Sequence, residues 1–182
     1  MRIAVTIRAF GFALLGGLLL LAMLAASRAS AEPAPNAQRR NAEEHYFIEF
    51  RARPGAFVGH TYVVYGRTSA AGRILDQHYA GLIPSGNVWE GLFGPIAASV
   101  RQYKDDARLK PDTVYGRPLS ADEYAMVSRA VRYLRNNEHQ WHVVFQNCND
   151  FGIILAEALG LRRPPSLMPP NVWVSTLRAL NE

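Results

Sequence analysis

The stretch GHTYVVYGRTSAAGRILDQHYAGLIPSG, residues 59–86, decides what kind of fold this chain adopts. Its first eight residues are dense in aromatic and β-branched side chains, the composition of a strand. RTSAA follows as a polar turn, and GRILDQHYAGLIPSG gives another strand that stops at a Pro/Gly break. Two strands joined by a short turn form an antiparallel hairpin, and alternation sends successive side chains to opposite faces. His60, Tyr62 and Val64 therefore share one face, as do Ile74, Asp76 and His78. A hairpin centred on Ser69 pairs His60 with His78 and sets Asp76 opposite Tyr62. A one-residue slip substitutes Gln77 and Tyr79 on that face. The polar residue that meets His60 thus stays open among His78, Asp76 and Gln77.

Upstream, HYFIEFRARPG (residues 45–55) alternates as a further strand, with Tyr46, Ile48 and Phe50 on one face. Downstream, the segment 88–118 mixes apolar groups with Gly, Pro and an acidic pair, and fits a short helix or a covering loop. The next element is clearer. Ser120 followed by Glu123 is a capping-box signature, and Tyr124, Val127, Val131 and Leu134 then recur on one helical face. HQWHVVFQ (139–146) reads as a buried strand. Phe151, Ile154, Leu155 and Ala158 have helical spacing, with Gly160 placed to take a left-handed C-terminal cap. LRRPPSLMPP is a rigid connector, and Asn171 is the expected cap of a last helix, VWVSTLRAL. Strands, helix, strand and helix in this order predict an α+β fold, a small antiparallel sheet with helices packed on it.

The N-terminus belongs to a different part of the argument. Arg2 and Arg8 precede an apolar run from Ala9 to Ala26, and small residues end at Ala29-Ser30-Ala31. This is the layout of a secretory signal cleaved after Ala31. The run is also about the minimum length for a membrane span, so residues 1–31 are a signal peptide or an N-terminal membrane anchor. Residues 32–44 read as a flexible lead-in and 45–182 as a single domain. The expected location is periplasmic or secreted, the alternative being the inner membrane, with the N-terminal segment as the only membrane contact. Without Arg2, Arg8 and Arg28 the basic residues fall from 20 to 17 against 15 acids, leaving a net charge of +2. No basic stripe with interleaved aromatics remains, which argues against a nucleic-acid partner.

Cys148 is the single cysteine. In an oxidising compartment one thiol pairs between molecules, reacts, or fills space as a small hydrophobe. Its place between a strand end and a helix start favours reactivity. The unpaired N–H groups of a first helical turn stabilise a thiolate and lower its pKa toward neutrality, and they can receive an oxyanion. Asn147, Asn149 and Asp150 are typical start-of-helix residues, and Asp150 could instead oppose the thiolate. A cysteine nucleophile needs a base. Of the five histidines, His60 on its strand is the best placed. His139, His142 and Cys148 make too loose a set for a metal site, which usually supplies four ligands, so no metal and no cofactor are expected. No phosphate-binding glycine loop or Gly-x-Ser-x-Gly elbow is present.

With His60 first and Cys148 later, the chain resembles the permuted papain-like cysteine hydrolases, the broad group around NlpC-type murein endopeptidases and lecithin:retinol acyltransferase-like proteins. GHTYVVYG resembles the histidine strand, ILDQHYAG the next strand with its third polar residue, and NCNDFGIILAEALG the cysteine helix. The resemblance spans about residues 45–160. It implies a circularly permuted papain-like fold, Cys148 as nucleophile, His60 as general base and later acid, and His78 as the orienting group. It implies acyl transfer through a thioester, with an exported chain acting on cell-wall peptide amides. The alternatives are acyltransferase or lipase-like action on lipid esters, for which GLFGPIAASV could line a site, or a non-catalytic binding module. The expected partners are thus a peptide, peptidoglycan or lipid acyl substrate. The sequence places no separate oxyanion-hole side chain, although Gln146 is near.

Overall fold

The computed structural model describes residues 44–55 and 59–182, and the described residues belong to one compact unit. The signal or anchor expected over 1–31, and the lead-in apart from its last residue, lie outside them. The elements are β1 (Glu44–Arg53), β2 (His60–Ser69), β3 (Ile74–Pro84), a 3₁₀ turn (Glu90–Leu92), β4 (Ile96–Arg101), β5 (Thr113–Leu119), α1 (Ala121–Arg135), β6 (His139–Trp141), α2 (Cys148–Ala158) and α3 (Pro170–Asn181). The strands form one six-stranded sheet in the order β5-β1-β2-β3-β4-β6, and every neighbouring pair is antiparallel. The fold is α+β, a small antiparallel sheet with three helices packed against it. Among the described residues, no helix is long and apolar enough to cross a membrane.

Alternation gives the sheet two distinct faces. Ile48, Phe50 and Ala52 of β1 stand beside Tyr65, Val63 and Thr61 of β2 and bury against the helices. Phe50 meets Trp173 of α3 and Tyr65 meets Tyr124 of α1, with ring centroids 6.2 Å apart in both pairs. The opposite face carries Arg53 beside His60 and Arg51 beside Tyr62. α1 starts where its capping box predicts: Glu123 N–H donates to Ser120 Oγ at 3.1 Å, and Ser120 N–H to Glu123 Oε2 at 2.8 Å. Val127, Val131 and Leu134 form its buried stripe. α2 ends with Gly160 at φ 67°, which frees Gly160 N–H for Glu157 O and Leu161 N–H for Ala156 O, the paired bonds of a Schellman cap.

Four readings of the sequence are corrected. The β2–β3 hairpin turns later than Ser69. Gly72 takes φ 77° at the tip, and Val63 pairs with Ala80, so His78 faces Tyr65 and not His60. The shift is five residues, an odd number, and so it exchanges the faces of β3. A bulge between Arg67 and Thr68 and the Arg67–Asp76 ion pair at 2.7 Å hold this register. The segment 88–118 holds the short 3₁₀ turn and a loop beside His60, as expected, but also contributes β4 and β5, strands that its Gly and Pro content disguised. HQWHVVFQ keeps only three residues in β6; His142 and Gln146 then bond to each other across a tight turn that leaves Phe145 exposed. The last helix begins at Pro170, whose missing N–H is no loss in the first turn, and Asn171 lies inside it.

Candidate active site

Asn147 starts α2 by closing both ends of a capping box. Its Oδ1 accepts Asn149 N–H at 2.8 Å, while Asp150 Oδ2 accepts Asn147 N–H at 2.7 Å. Cys148 is therefore the first residue of the helix and is 6% exposed. Thr61 and the amides of Cys148 and Asn149 are the polar groups beside its thiol. Thr61 Oγ1 donates to Asn149 Oδ1 at 2.6 Å, and Asn149 Nδ2 donates to Ser166 O and Met168 O at 2.8 Å each. One buried amide thus ties β2, the cysteine turn and the connector before α3.

The electrostatics differ from the expectation of a depressed thiol pKa. Burial pushes the Cys148 thiol up, and the Thr61 and helix-amide bonds offset only part of that. The helix field favours a thiolate, but removing the sulfur from water disfavours the charge more. Asp150 is committed to the cap.

His60 opens β2 and is 8% exposed. A Cβ on Gly81 would lie 2.7 Å from His60 Nε2, so the bare glycine backbone is what lets the ring lie down on β3. The ring stacks on Tyr62 at 5.8 Å between centroids. Asp106, from the loop after β4, brings Oδ2 to 3.9 Å from His60 Nε2. That carboxylate is 1% exposed and is held by Arg53 Nε at 2.9 Å and by Tyr103 N–H at 3.0 Å. His60 Nε2 is buried with no hydrogen-bond partner. Burial and the adjacent Arg53 charge lower the imidazole pKa to about 3, so His60 is neutral at ordinary pH.

Two cavities of about 610 and 540 Å³ meet at the end of the sheet. They share Arg53, Trp141 and Cys148 among their walls, and His60 lines the larger. Cys148 and His60 thus open into one space. No hydrogen bond joins them, because alternation turns Thr61, not His60, toward the helix face.

The other candidates lie elsewhere. His78 is exposed, its ring 5.2 Å from that of Tyr65, so it does not orient His60. Asp76 pairs with Arg67, and Gln77 donates to the Tyr79 hydroxyl. His139 Nε2 bonds Leu134 O at 2.6 Å, and His142 Nδ1 accepts Val144 N–H at 3.1 Å. Among the described residues, no group of three or more His, Cys, Asp or Glu side chains is placed to hold a metal ion. Gln146 bonds His142 through its backbone alone, and the residue is exposed. Sequence reading missed Asp106, Arg53 and Thr61. Thr61 carries a signal, since it follows His60 in the strand alternation, whereas Arg53 meets His60 only through the β1–β2 register. Asp106 carries none, because an Asp-Asp pair in a lysine-bearing loop reads as solvated. Comparison with protein-family models, with curated proteins and with solved structures finds no match to the chain.

Proposed function

We propose that this protein is an exported cysteine hydrolase of the permuted papain-like kind that cleaves an amide bond, with cell-wall peptides as its substrate class. The observation that carries the reading is the shared cavity of about 610 Å³ into which both Cys148 and His60 open, in the chain order of that group. In the reaction, the Cys148 thiol passes its proton to the His60 imidazole and the sulfur bonds to the substrate carbonyl carbon. The N–H of Cys148, at the helix start, faces the oxyanion. The C–N bond then breaks, the departing amine takes the proton from His60, and a thioester remains. Water gives a proton to His60 and its oxygen to the carbonyl carbon. The C–S bond breaks, and Cys148 recovers its proton as the acid leaves.

The walls suit a substrate with apolar arms, since Leu82, Ile83 and Val88 line the larger cavity and Leu167 and Met168 the smaller. The test compares wild type with Cys148→Ala on muropeptide digests and on panels of phospholipids and simple esters, reading new amine and carboxylate termini by mass spectrometry. Peptide cleavage by wild type alone supports the amidase reading; cleavage of lipid esters alone replaces it with the lipase-like one. A second reading, a non-catalytic binding module, is favoured by the buried neutral thiol and the absence of a Cys148–His60 bond. Identical product patterns from wild type and Cys148→Ala establish that one.

A further inference from the structure

Three observations around His60 belong together. Its Nε2 is sealed from solvent without a partner, although an imidazole nitrogen in that position ordinarily has one. The nearest carboxylate oxygen, Asp106 Oδ2, lies 3.9 Å away, about 1 Å beyond a hydrogen bond. Arg53 holds that carboxylate through Oδ1 at 2.9 Å and packs its guanidinium over the Tyr103 ring at 5.0 Å, while Oδ2 accepts the Tyr103 N–H at 3.0 Å. We propose that Asp106 is the positioning residue of the His60 imidazole and that Arg53 holds it in a resting arrangement, one short shift from engagement.

The inference rests on the reading of His60 as the base. A base works when its far nitrogen is held by a third group, which fixes the tautomer and stabilises the charged ring. His78 cannot supply that group in this register, whereas Asp106 faces the correct ring. The groups around the imidazole are Arg53 from β1, Tyr62 from β2, Tyr103, Asp105 and Asp106 from the loop after β4, and Cys148 from α2. Among the described residues, Asp106 is the one carboxylate within ion-pair reach of His60. In the resting arrangement Arg53 takes up its charge, so the ring feels the cation more than the anion. Movement of Asp106 Oδ2 onto Nε2 reverses that balance and makes His60 a competent proton acceptor.

The test reads the imidazole itself. In ¹H–¹³C spectra of the folded chain, with His60→Gln assigning the signal, the His60 titration midpoint is measured in three variants. Arg53→Gln removes the cation and frees Asp106 Oδ1, leaving the carboxylate to turn about its Tyr103 N–H bond toward the ring, and raises the midpoint by a unit or more, about tenfold in proton affinity. Adding Asp106→Asn cancels that rise. Asp106→Glu, one methylene longer, spans the gap with Arg53 still present and raises the midpoint too, which serves where Arg53→Gln does not fold. A rise that persists in Arg53→Gln/Asp106→Asn, or no rise in Asp106→Glu, overturns the proposal, since a purely structural ion pair would behave so. The readout needs no substrate. Failure of the hydrolase reading would appear in the product assay and leave this titration standing, while failure here would leave Cys148-dependent cleavage untouched.

Discussion

Thr61 Oγ1 and Asn149 Oδ1 lie 2.6 Å apart, both residues essentially without solvent contact, and this bond fixes the cysteine turn to the start of β2. Thr61 also lies beside the Cys148 thiol, so loosening this bond is expected to loosen the cover over the sulfur. Thr61→Val keeps the shape and removes the donor, leaving a buried amide oxygen unpaired at a cost of about 1–3 kcal/mol. We expect urea unfolding to show that loss and the native Cys148 to alkylate faster with iodoacetamide. Unchanged labelling with unchanged stability would mean that the bond does not hold the turn.

Gly81 supports a second expectation, because its missing side chain is the floor under the His60 ring. Gly81→Ala places a methyl 2.7 Å from Nε2 and 3.2 Å from Tyr62 Cβ, and the strand backbone leaves it no other direction. Overpacking of this kind costs about 1–3 kcal/mol. Gly94→Ala, whose new methyl would have nothing within 4 Å, is the matched control. The comparison is a pair of thermal melts; equal midpoints would refute the close approach.

Much of the fold was legible because its signals are local. The capping box at Ser120, the start-of-helix residues around Asn147, the stripe of Val127, Val131 and Leu134, and the aromatic and β-branched run of β2 each depend on neighbours in sequence. What sequence could not give was the register of β2 against β3. The polar stretch from Arg67 to Arg73 admits turns at Ser69 or at Gly72, and only the bulge and the Arg67–Asp76 pair select between them. The same limit hid Asp106, whose burial depends on Arg53, 53 residues earlier in the chain. β4 and β5 were missed because one is short and begins just after a Gly-Pro pair, while the other carries both a Gly and a Pro. Cys148 and His60 stand out as candidates from position alone, but sequence does not say that Thr61, and not His60, turns toward the helix that carries the cysteine.

The thiol supplies a third expectation, with its own sign. A thiol raised by burial keeps its proton in the folded chain after the unfolded chain, at about 8.5, has lost it. Between that value and the raised one, the folded state binds more protons, so stability falls as pH rises through the window. Cys148→Ala removes the titrating group. Unfolding in urea at pH 8 and pH 10 should show wild type losing more stability on the alkaline step than the variant does. An equal loss in both chains would exclude Cys148 from the alkaline response.

His60 gives the acid counterpart. Its pKa is about 3 in the folded chain against about 6.5 unfolded, so below 6.5 the unfolded chain takes up a proton that the folded chain refuses. The stability this represents is complete above pH 6.5 and is lost as pH falls toward 3, roughly 3 kcal/mol of it by pH 4.5. Asp106 acts in the other direction. Burial raises its pKa above the ordinary carboxylate value, so the folded chain takes its proton earlier and gains from acidification. Glu123, lowered by its bond to the Ser120 N–H and by Arg117, adds a loss on acidification, and His60→Gln removes the His60 contribution while leaving those of Asp106 and Glu123. Wild type should therefore lose more stability than His60→Gln between pH 7 and pH 4.5, measured by urea unfolding at both values. Parallel losses would mean that His60 is already charged in the folded chain, and with it that Asp106, not Arg53, sets the field at the ring.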